Sequence, residues 1–330
     1  MTTTDVYITG SASAFGSRVV PSEEIDHAFG MPSGKLRSRA GILSLAHVSE
    51  NEDEGTLGVQ VCEKVLQSTG EDTAGLDWII AASETHHAYP SLAAMLHAKL
   101  RLREDCSALD VGSGCLALLQ VLAVAQALLK SGRAKKILVA SADVHSRTLG
   151  PGRTAGEFGG LFGDGASAFV LSTKLPHAKG LAYRLGEFFF GCAAQYADAI
   201  AISDAGGGQL EVLFEGDALS RAAVSRMEKV IAEVEHRSGI SRDHVGAFAT
   251  HQPNPRLVTL LAKQVGVAIK HFPPIARTRG NLGSSMCGAA LDAALHHAAA
   301  QPPEQRQPVF LASLGPGLIF GGGWMVPAGA

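Results

Sequence analysis

The 330-residue sequence predicts an α/β protein of layered build, in which two similar halves share central helices. Three observations carry this reading. Short, near-continuous apolar segments alternate with helical patterns along the chain, as expected of strands covered on both faces. One helical stretch, LALLQVLAVAQALL from Leu116, is apolar nearly all round, so it needs layers above and below it. Each half also places a reactive side chain just after a strand and before a helix, Cys115 in the first and His251 in the second.

The elements follow in order. Residues 6–9 read as a first strand, and 77–82 (DWIIAA) as an apolar strand bounded by a polar loop. Strands at 107–111 and 136–141 (KILVAS) flank the buried helix over 115–131, and 166–171 (ASAFVL) closes the first half. A strand at 181–190 opens the second half and precedes a glycine-rich turn at 206–208. Then come a long amphipathic helix at 217–237, a strand at 245–249 leading to His251, and a helix at 255–265. A small-residue helix at 284–299 and paired strands at 309–313 and 318–326 complete the chain. The boundary falls near Thr173, giving a half 1–172 with the cysteine and a half 173–330 with the histidine.

Composition removes several classes of function. Lysine and arginine total 28 against 31 acidic residues, a net charge of −3 with no long charged run, which argues against nucleic acid or an anionic membrane as partner. The apolar stretch 116–129 is broken by Gln120 and Gln126 and falls short of the ~20 residues a membrane span needs. The start, MTTTDVYITGSASAFG, lacks the basic region of a signal peptide. The 5 cysteines are scattered without a CxxC pair, which predicts a reducing cytoplasm, no disulfide framework and no structural zinc. The 38 glycines exceed the usual share of roughly 7% and predict many tight turns.

The chemistry centres on Cys115, in DVGSGCLALL at the mouth of the buried helix. A helix N-terminus offers unpaired N–H groups and partial positive charge, which favour a thiolate. Gly112 and Gly114 leave room for an acyl group to approach. A thiolate nucleophile calls for a nearby imidazole, and a carboxamide can bind the oxygen of an enolate or tetrahedral adduct. His251 in ATHQPNPRLV and Asn281 in RTRGNLGSS supply these groups. Taken singly, each has an ordinary structural explanation, as a buried cysteine, a loop histidine and a turn asparagine.

Together with LFGDGASAFVL at 161–171, RAGI at 39–42, THHAYPS at 85–91 and the terminal GPGLIFGG, these motifs resemble β-ketoacyl-ACP synthase III of the thiolase superfamily. They come in the family's order over essentially the full length. The resemblance implies the thiolase-like five-layered αβαβα fold, a homodimer and a Cys115–His251–Asn281 triad. It implies a Cys115 acyl-enzyme, with His251 and Asn281 binding the carbonyl of a second, malonyl-type thioester whose decarboxylation yields an enolate. Acyl carrier protein or coenzyme A thioesters would be substrates, with no permanently bound cofactor and no metal. Asn254 would support the site, Gly317 would belong to the glycine loop beside the thioester, and Tyr89 would reach across the dimer toward the partner's acyl pocket. Arg37, Arg39 and Arg153 are candidate contacts for the phosphate of a pantetheine carrier. Asp164 in FGDG is expected to hold backbone amides, not to react. Pocket walls are expected from Tyr89, 158–161 and 188–196. The neighbours His86 and His87 point apart if extended, which argues against a shared metal.

Two positions depart from the family pattern. Lys35 stands where many members carry a tryptophan that stacks on adenine, and losing such a platform removes about 1–3 kcal/mol. This favours a carrier-protein donor over coenzyme A. Pro316 occupies the middle of Gly315-Pro316-Gly317, where the family uses a backbone N–H, and losing such a donor costs ~3 kcal/mol of barrier. Type III polyketide synthases share a GPG loop, so thioester chemistry remains compatible with it. The expected activity is therefore acyl transfer through Cys115, with condensation placed first. Transfer to a hydroxyl or amine, with His251 as general base, is the alternative, and a non-catalytic scaffold is the third reading.

Overall fold

In the computed structural model, which describes residues 4–175, 182–207, 209–214 and 216–328, the first strands are β1 (Tyr7–Phe15), β2 (Arg18–Pro21) and β3 (Ser44–His47). They are followed by β4 (Trp78–Ala82), β5 (Ser107–Asp110), β6 (Lys136–Val144), β7 (Asp164–Ser172) and β8 (Tyr183–Cys192). The remainder are β9 (Ile200–Gly206), β10 (Gln209–Phe214), β11 (Ala247–Thr250), β12 (Val309–Gly315) and β13 (Ile319–Pro327). Leu181 and Gly208, which the sequence reading included in a strand and a turn, lie outside the described residues.

Nine strands form one sheet in the order β11-β12-β13-β8-β1-β7-β6-β4-β5. It divides into β1-β7-β6-β4-β5 and β11-β12-β13-β8, linked where Tyr7 and Ile8 meet Arg184 and Tyr183. The β4 strand is parallel to both β5 and β6, and β11 is parallel to β12. Parallel strands are covered on both faces by their crossover helices, which is why WIIAA is wholly apolar and KILVASADV is buried along nearly its whole length.

The five layers follow from three clusters of buried side chains. Helices Ala117–Lys130 and Met286–Ala299 lie between the two strand groups, packing with strand residues such as Val139, Phe169, Leu185 and Leu311. Helices Glu54–Thr69 and Leu92–Lys99 cover the outer face of one group through Leu57, Val61 and Leu96. Helices Gly216–Ser238 and Pro255–Val265 cover the other through Val230, Ile231 and Leu261. The expectation of an αβαβα stack with shared central helices is met.

Several boundaries move, for physical reasons. Residues 10–15 extend β1 well past the predicted 6–9, because Ala12, Ser13 and Ala14 pair with Ala168, Ser167 and Ala166 of β7. Those small residues give no local strand signal, and the ladder supplies the order. The β9–β10 hairpin, joined through pairs such as Ile202 with Val212, is also not predicted by the sequence pattern. Cys115 sits in a 3₁₀ turn, Gly114–Leu116, ahead of the α-helix that begins at Ala117. Among the described residues, no helix is long and apolar enough to cross a membrane.

Candidate active site

Each reactive side chain is set by an element end. Gly114, at φ +55°, turns the chain from β5 into the central helix, and a Cβ there would stand 2.9 Å from Cδ of Pro316. Glycine is therefore required both by conformation and by space. The Cys115 carbonyl accepts a 2.7 Å hydrogen bond from Ser313 Oγ, which ties the Cys115 turn to the end of β12. His251 follows β11, and its N–H donates to the Ala312 carbonyl at 3.0 Å, continuing the β11–β12 ladder by one residue. Gln252 then fixes the loop, donating to the Pro273 carbonyl at 2.7 Å and accepting from the Ala276 N–H at 3.1 Å. Asn254 caps the next helix by accepting from the Leu257 N–H at 3.0 Å, and Pro255 occupies its first turn. Asn281 is held by its backbone, donating to the Leu161 carbonyl at 2.8 Å and accepting from the Gly163 N–H at 2.9 Å.

The three side chains, distant in sequence, line one cavity of about 830 Å³, and each is at most 8% exposed. Its wall is largely apolar, with Phe158, Phe162, Leu210, Met227 and Leu261 among the contributors. Asn281 Oδ1 accepts the Gly283 N–H at 3.0 Å, which leaves its amide hydrogens available to an oxygen in the cavity. Burial pushes the His251 imidazole down to about 4, the nearby Glu84 charge opposing this and His145 adding to it, so the ring is neutral near pH 7.

Glu84 and His145 also line the cavity, and neither was singled out from sequence. His145 Nε2 lies 3.5 Å from Glu84 Oε2, and the Cys115 thiol lies against the same carboxylate. Burial alone would raise the Glu84 pKa, but the His145 hydrogen bond and charge, the thiol and His251 together hold it below the usual carboxylate range. Burial alone would lower His145, but Glu84, Asp143 and Asp164 raise it. Cys115 moves the other way: burial first, then the Glu84 and Asp143 charges, push its thiol well above the ordinary range. This corrects the expectation of a thiolate favoured by the helix mouth. Full burial beside a carboxylate outweighs the partial charge of the turn.

Asp143 anchors this cluster. Its Oδ1 accepts the Glu84 N–H at 2.6 Å, and its Oδ2 accepts from Ser284 Oγ at 2.6 Å and the Ser285 N–H at 3.1 Å. Burial pushes its carboxyl up to about 6. Asp164 does what the sequence predicted, accepting from the Val48 N–H at 2.7 Å, the Ser146 N–H at 2.8 Å and the Ser146 hydroxyl at 2.5 Å.

The other predicted residues are dispersed. Arg153 and Asn254 line the cavity, whereas Arg39 is exposed on a short helix and Tyr89 is 97% exposed in the single chain. Gly315, Pro316 and Leu318 line the cavity, whereas Gly317, at φ +78°, is not among its lining residues. The expected wall at 188–196 is also corrected. The β8 phenylalanines pack on the glycines of β13 and beneath Arg237, and the β9–β10 hairpin supplies Ile200, Ile202 and Leu210 in their place. His86 and His87 both line the cavity, yet among the described residues no group of three or more His, Cys, Asp or Glu is arranged to hold a metal. Lys35 forms an ion pair with Glu157.

Comparison with known proteins fits this arrangement. Two family profiles match, 3-oxoacyl-[acyl-carrier-protein] synthase III over residues 109–187 and its C-terminal domain over residues 236–325. A β-ketoacyl-[acyl-carrier-protein] synthase III of Serratia proteamaculans is 28% identical over 324 residues, covering 95% of this chain and 97% of its own. The Escherichia coli O9:H4 protein of that name is 26% identical over 325 residues, covering 95% and 97%. In structure, the Pseudomonas aeruginosa synthase III superposes with a TM-score of 0.84 at 22% identity over 98% of both chains. Xanthomonas campestris OleA, crystallised with bound lauric acid and lauroyl-CoA, superposes with a TM-score of 0.84 at 18% identity over 98% of this chain and 99% of its own. With both halves matched by profile, relatives aligned along nearly the whole length and the layered fold shared, the chain belongs to the β-ketoacyl-[acyl-carrier-protein] synthase III family of thiolase-superfamily enzymes.

Proposed function

We propose that the protein transfers an acyl group through a thioester on Cys115 and condenses it with a malonyl-type thioester. The observation that carries this is the meeting of Cys115, His251 and Asn281 in one enclosed apolar cavity. In this reading the half 1–172 supplies the nucleophile and the half 173–330 supplies the two donors. Cys115 attacks the donor thioester and keeps the acyl group, whose chain lies along Phe158, Phe162 and Met227. The neutral His251 ring and the Asn281 amide donate to the carbonyl oxygen of the second thioester, so the enolate left by loss of carbon dioxide forms against two fixed donors. Carbon–carbon bond formation then returns the Cys115 sulfur. Transfer to a hydroxyl or amine would leave the Asn281 amide without a task, so condensation is the reading adopted.

An acyl carrier protein is the favoured donor. Lys35, held by Glu157, offers no aromatic face for adenine, while Arg153 brings a positive charge to the cavity wall that suits a pantetheine phosphate. The cavity size suits a medium or long acyl chain, in line with the lauroyl ligands of OleA. A homodimer is supported by the exposed edge strand β5, with Leu109 at 36% exposure, and by the protruding Tyr89. The test is intact-mass measurement after exposure to acyl-coenzyme A and acyl-carrier donors. One acyl mass should appear on the wild type and none on Cys115→Ala; a wild type unmodified by the whole donor panel would sink the reading. Release of carbon dioxide from a malonyl carrier thioester then tests the condensation half, and Asn281→Ala should slow it by about 10²-fold.

A further inference from the structure

The cavity holds a glutamate–histidine pair that the condensation chemistry leaves without a task. Glu84 follows β4 directly, at the carboxyl end of a parallel strand, where α/β sheets gather their sites. Its Oε2 faces His145 Nε2 at 3.5 Å, while its Oε1 is buried without a hydrogen-bond partner. A buried, unpartnered carboxylate oxygen is costly unless a ligand or a proton is to meet it.

The surroundings are built around this pair. Gly283, at φ +56°, closes over it, and a Cβ there would stand 3.0 Å from Glu84 Oε2 and collide with the His145 ring. Phe162 packs against the other side of His145, with ring centroids 4.7 Å apart. Asp143 fixes the Glu84 backbone and the Ser284–Ser285 turn at once. Meanwhile the thiol that must attack is the one lying against Glu84, whereas His251 and Asn281 are assigned to the second thioester, which arrives after acylation.

We propose that Glu84 is the catalytic base for acylation, taking the Cys115 proton as the sulfur attacks the donor thioester, with His145 as the residue that positions the carboxylate. The proposal rests on the acyl-Cys115 reading above. The balance is simple. The Cys115 S–H bond breaks toward a Glu84 carboxylate oxygen as the new C–S bond forms. The C–S bond to the donor then breaks, and the departing thiolate takes the proton from Glu84, which ends as the carboxylate with a free thiol released.

A carboxylate beside a thiol has two opposed effects, and this makes the proposal testable. As a mere charge it disfavours the thiolate, so Glu84→Gln should acylate faster. As a base it is needed for attack, so Glu84→Gln should acylate slower. The experiment is rapid-quench intact-mass measurement of single-turnover acylation by lauroyl-coenzyme A and a lauroyl carrier-protein thioester across pH 5–10. Wild type should hold a nearly constant rate between about pH 6 and 9, because Glu84 is ionised throughout. At pH 7 Glu84→Gln should be slower by at least about 10²-fold and recover as the pH rises toward that of free thiolate formation. Glu84→Asp should restore part of the neutral rate, and His145→Gln should move the acid limb of the profile to higher pH. Iodoacetamide labelling of Cys115, which reads the thiolate itself, should be no slower in Glu84→Gln than in wild type. A Glu84→Gln rate equal to or above wild type overturns the proposal. So does a wild-type rate rising tenfold per pH unit through neutrality, whatever the variants do. If no donor acylates the wild type, the acyl-enzyme reading falls first.

Discussion

At His251 the cost of burying a titratable ring becomes measurable. Its pKa is lowered from 6.5 to about 4, so between those values the unfolded chain binds a proton that the folded chain refuses. Stability therefore rises with pH across that window, and up to about 3 kcal/mol of it depends on this one ring. Urea unfolding at pH 6.5 and pH 4.5 should show a smaller loss for His251→Gln than for wild type; equal losses would mean that the ring is not held neutral. Cys115 teaches the complementary lesson. The sequence pointed to Cys115 from its glycine-flanked helix mouth, yet the protonation state of that thiol is set first by burial and then by Glu84, which lies 31 residues earlier along the chain. A signal for Glu84 was present in AASETHH, an acid placed directly after an apolar parallel strand, but a solvated loop carboxylate gives the same local pattern.

Among the elements, the two central helices show how little space the layered stack leaves. Leu118, Leu119 and Leu122 are fully buried, and Gly288 on the companion helix faces Leu118, whose Cδ2 would be 2.8 Å from an added Cβ that also collides with Ser167 Oγ. Gly288→Ala should thus lower stability by about 1–3 kcal/mol, despite the better helix propensity of alanine, because a backbone-close contact with β7 has to open. Thermal unfolding decides this, and a variant as stable as wild type would show that β7 yields easily. The helix at Ala117–Lys130 was legible because its apolar residues recur on every side. The β9–β10 hairpin was not, since its place over the cavity depends on contacts such as the Gln209 amide donating to the Gly152 carbonyl at 2.7 Å.

For the whole molecule, the proposed dimer and the cavity are linked through the segment that carries His86, His87 and Tyr89. The two histidines line the cavity, whereas Tyr89 stands almost fully outside the single chain, and β5 ends the nine-stranded sheet with an unpaired edge beside it. A large exposed aromatic next to an open strand edge fits a two-fold contact in which each chain covers the other's edge. Tyr89→Asp should shift the protein toward monomer in sedimentation or light scattering at micromolar concentration, with lower acyl-transfer activity in proportion. A wild-type protein that is monomeric throughout that range would rule out the contact.

The sequence alone determined the α/β class, the buried central helix, the order of the motifs and the three side chains that meet at the cavity. These are local properties: apolar period, glycine placement and the residue type at an element end. The tertiary structure alone decided that Cys115 is held as a thiol, that Glu84 and His145 stand beside it, and that Ile200, Ile202 and Leu210 form part of the cavity wall where 188–196 does not. Each of those depends on distance between segments remote along the chain, and burial and Coulomb interaction are set by that distance and not by neighbours in sequence.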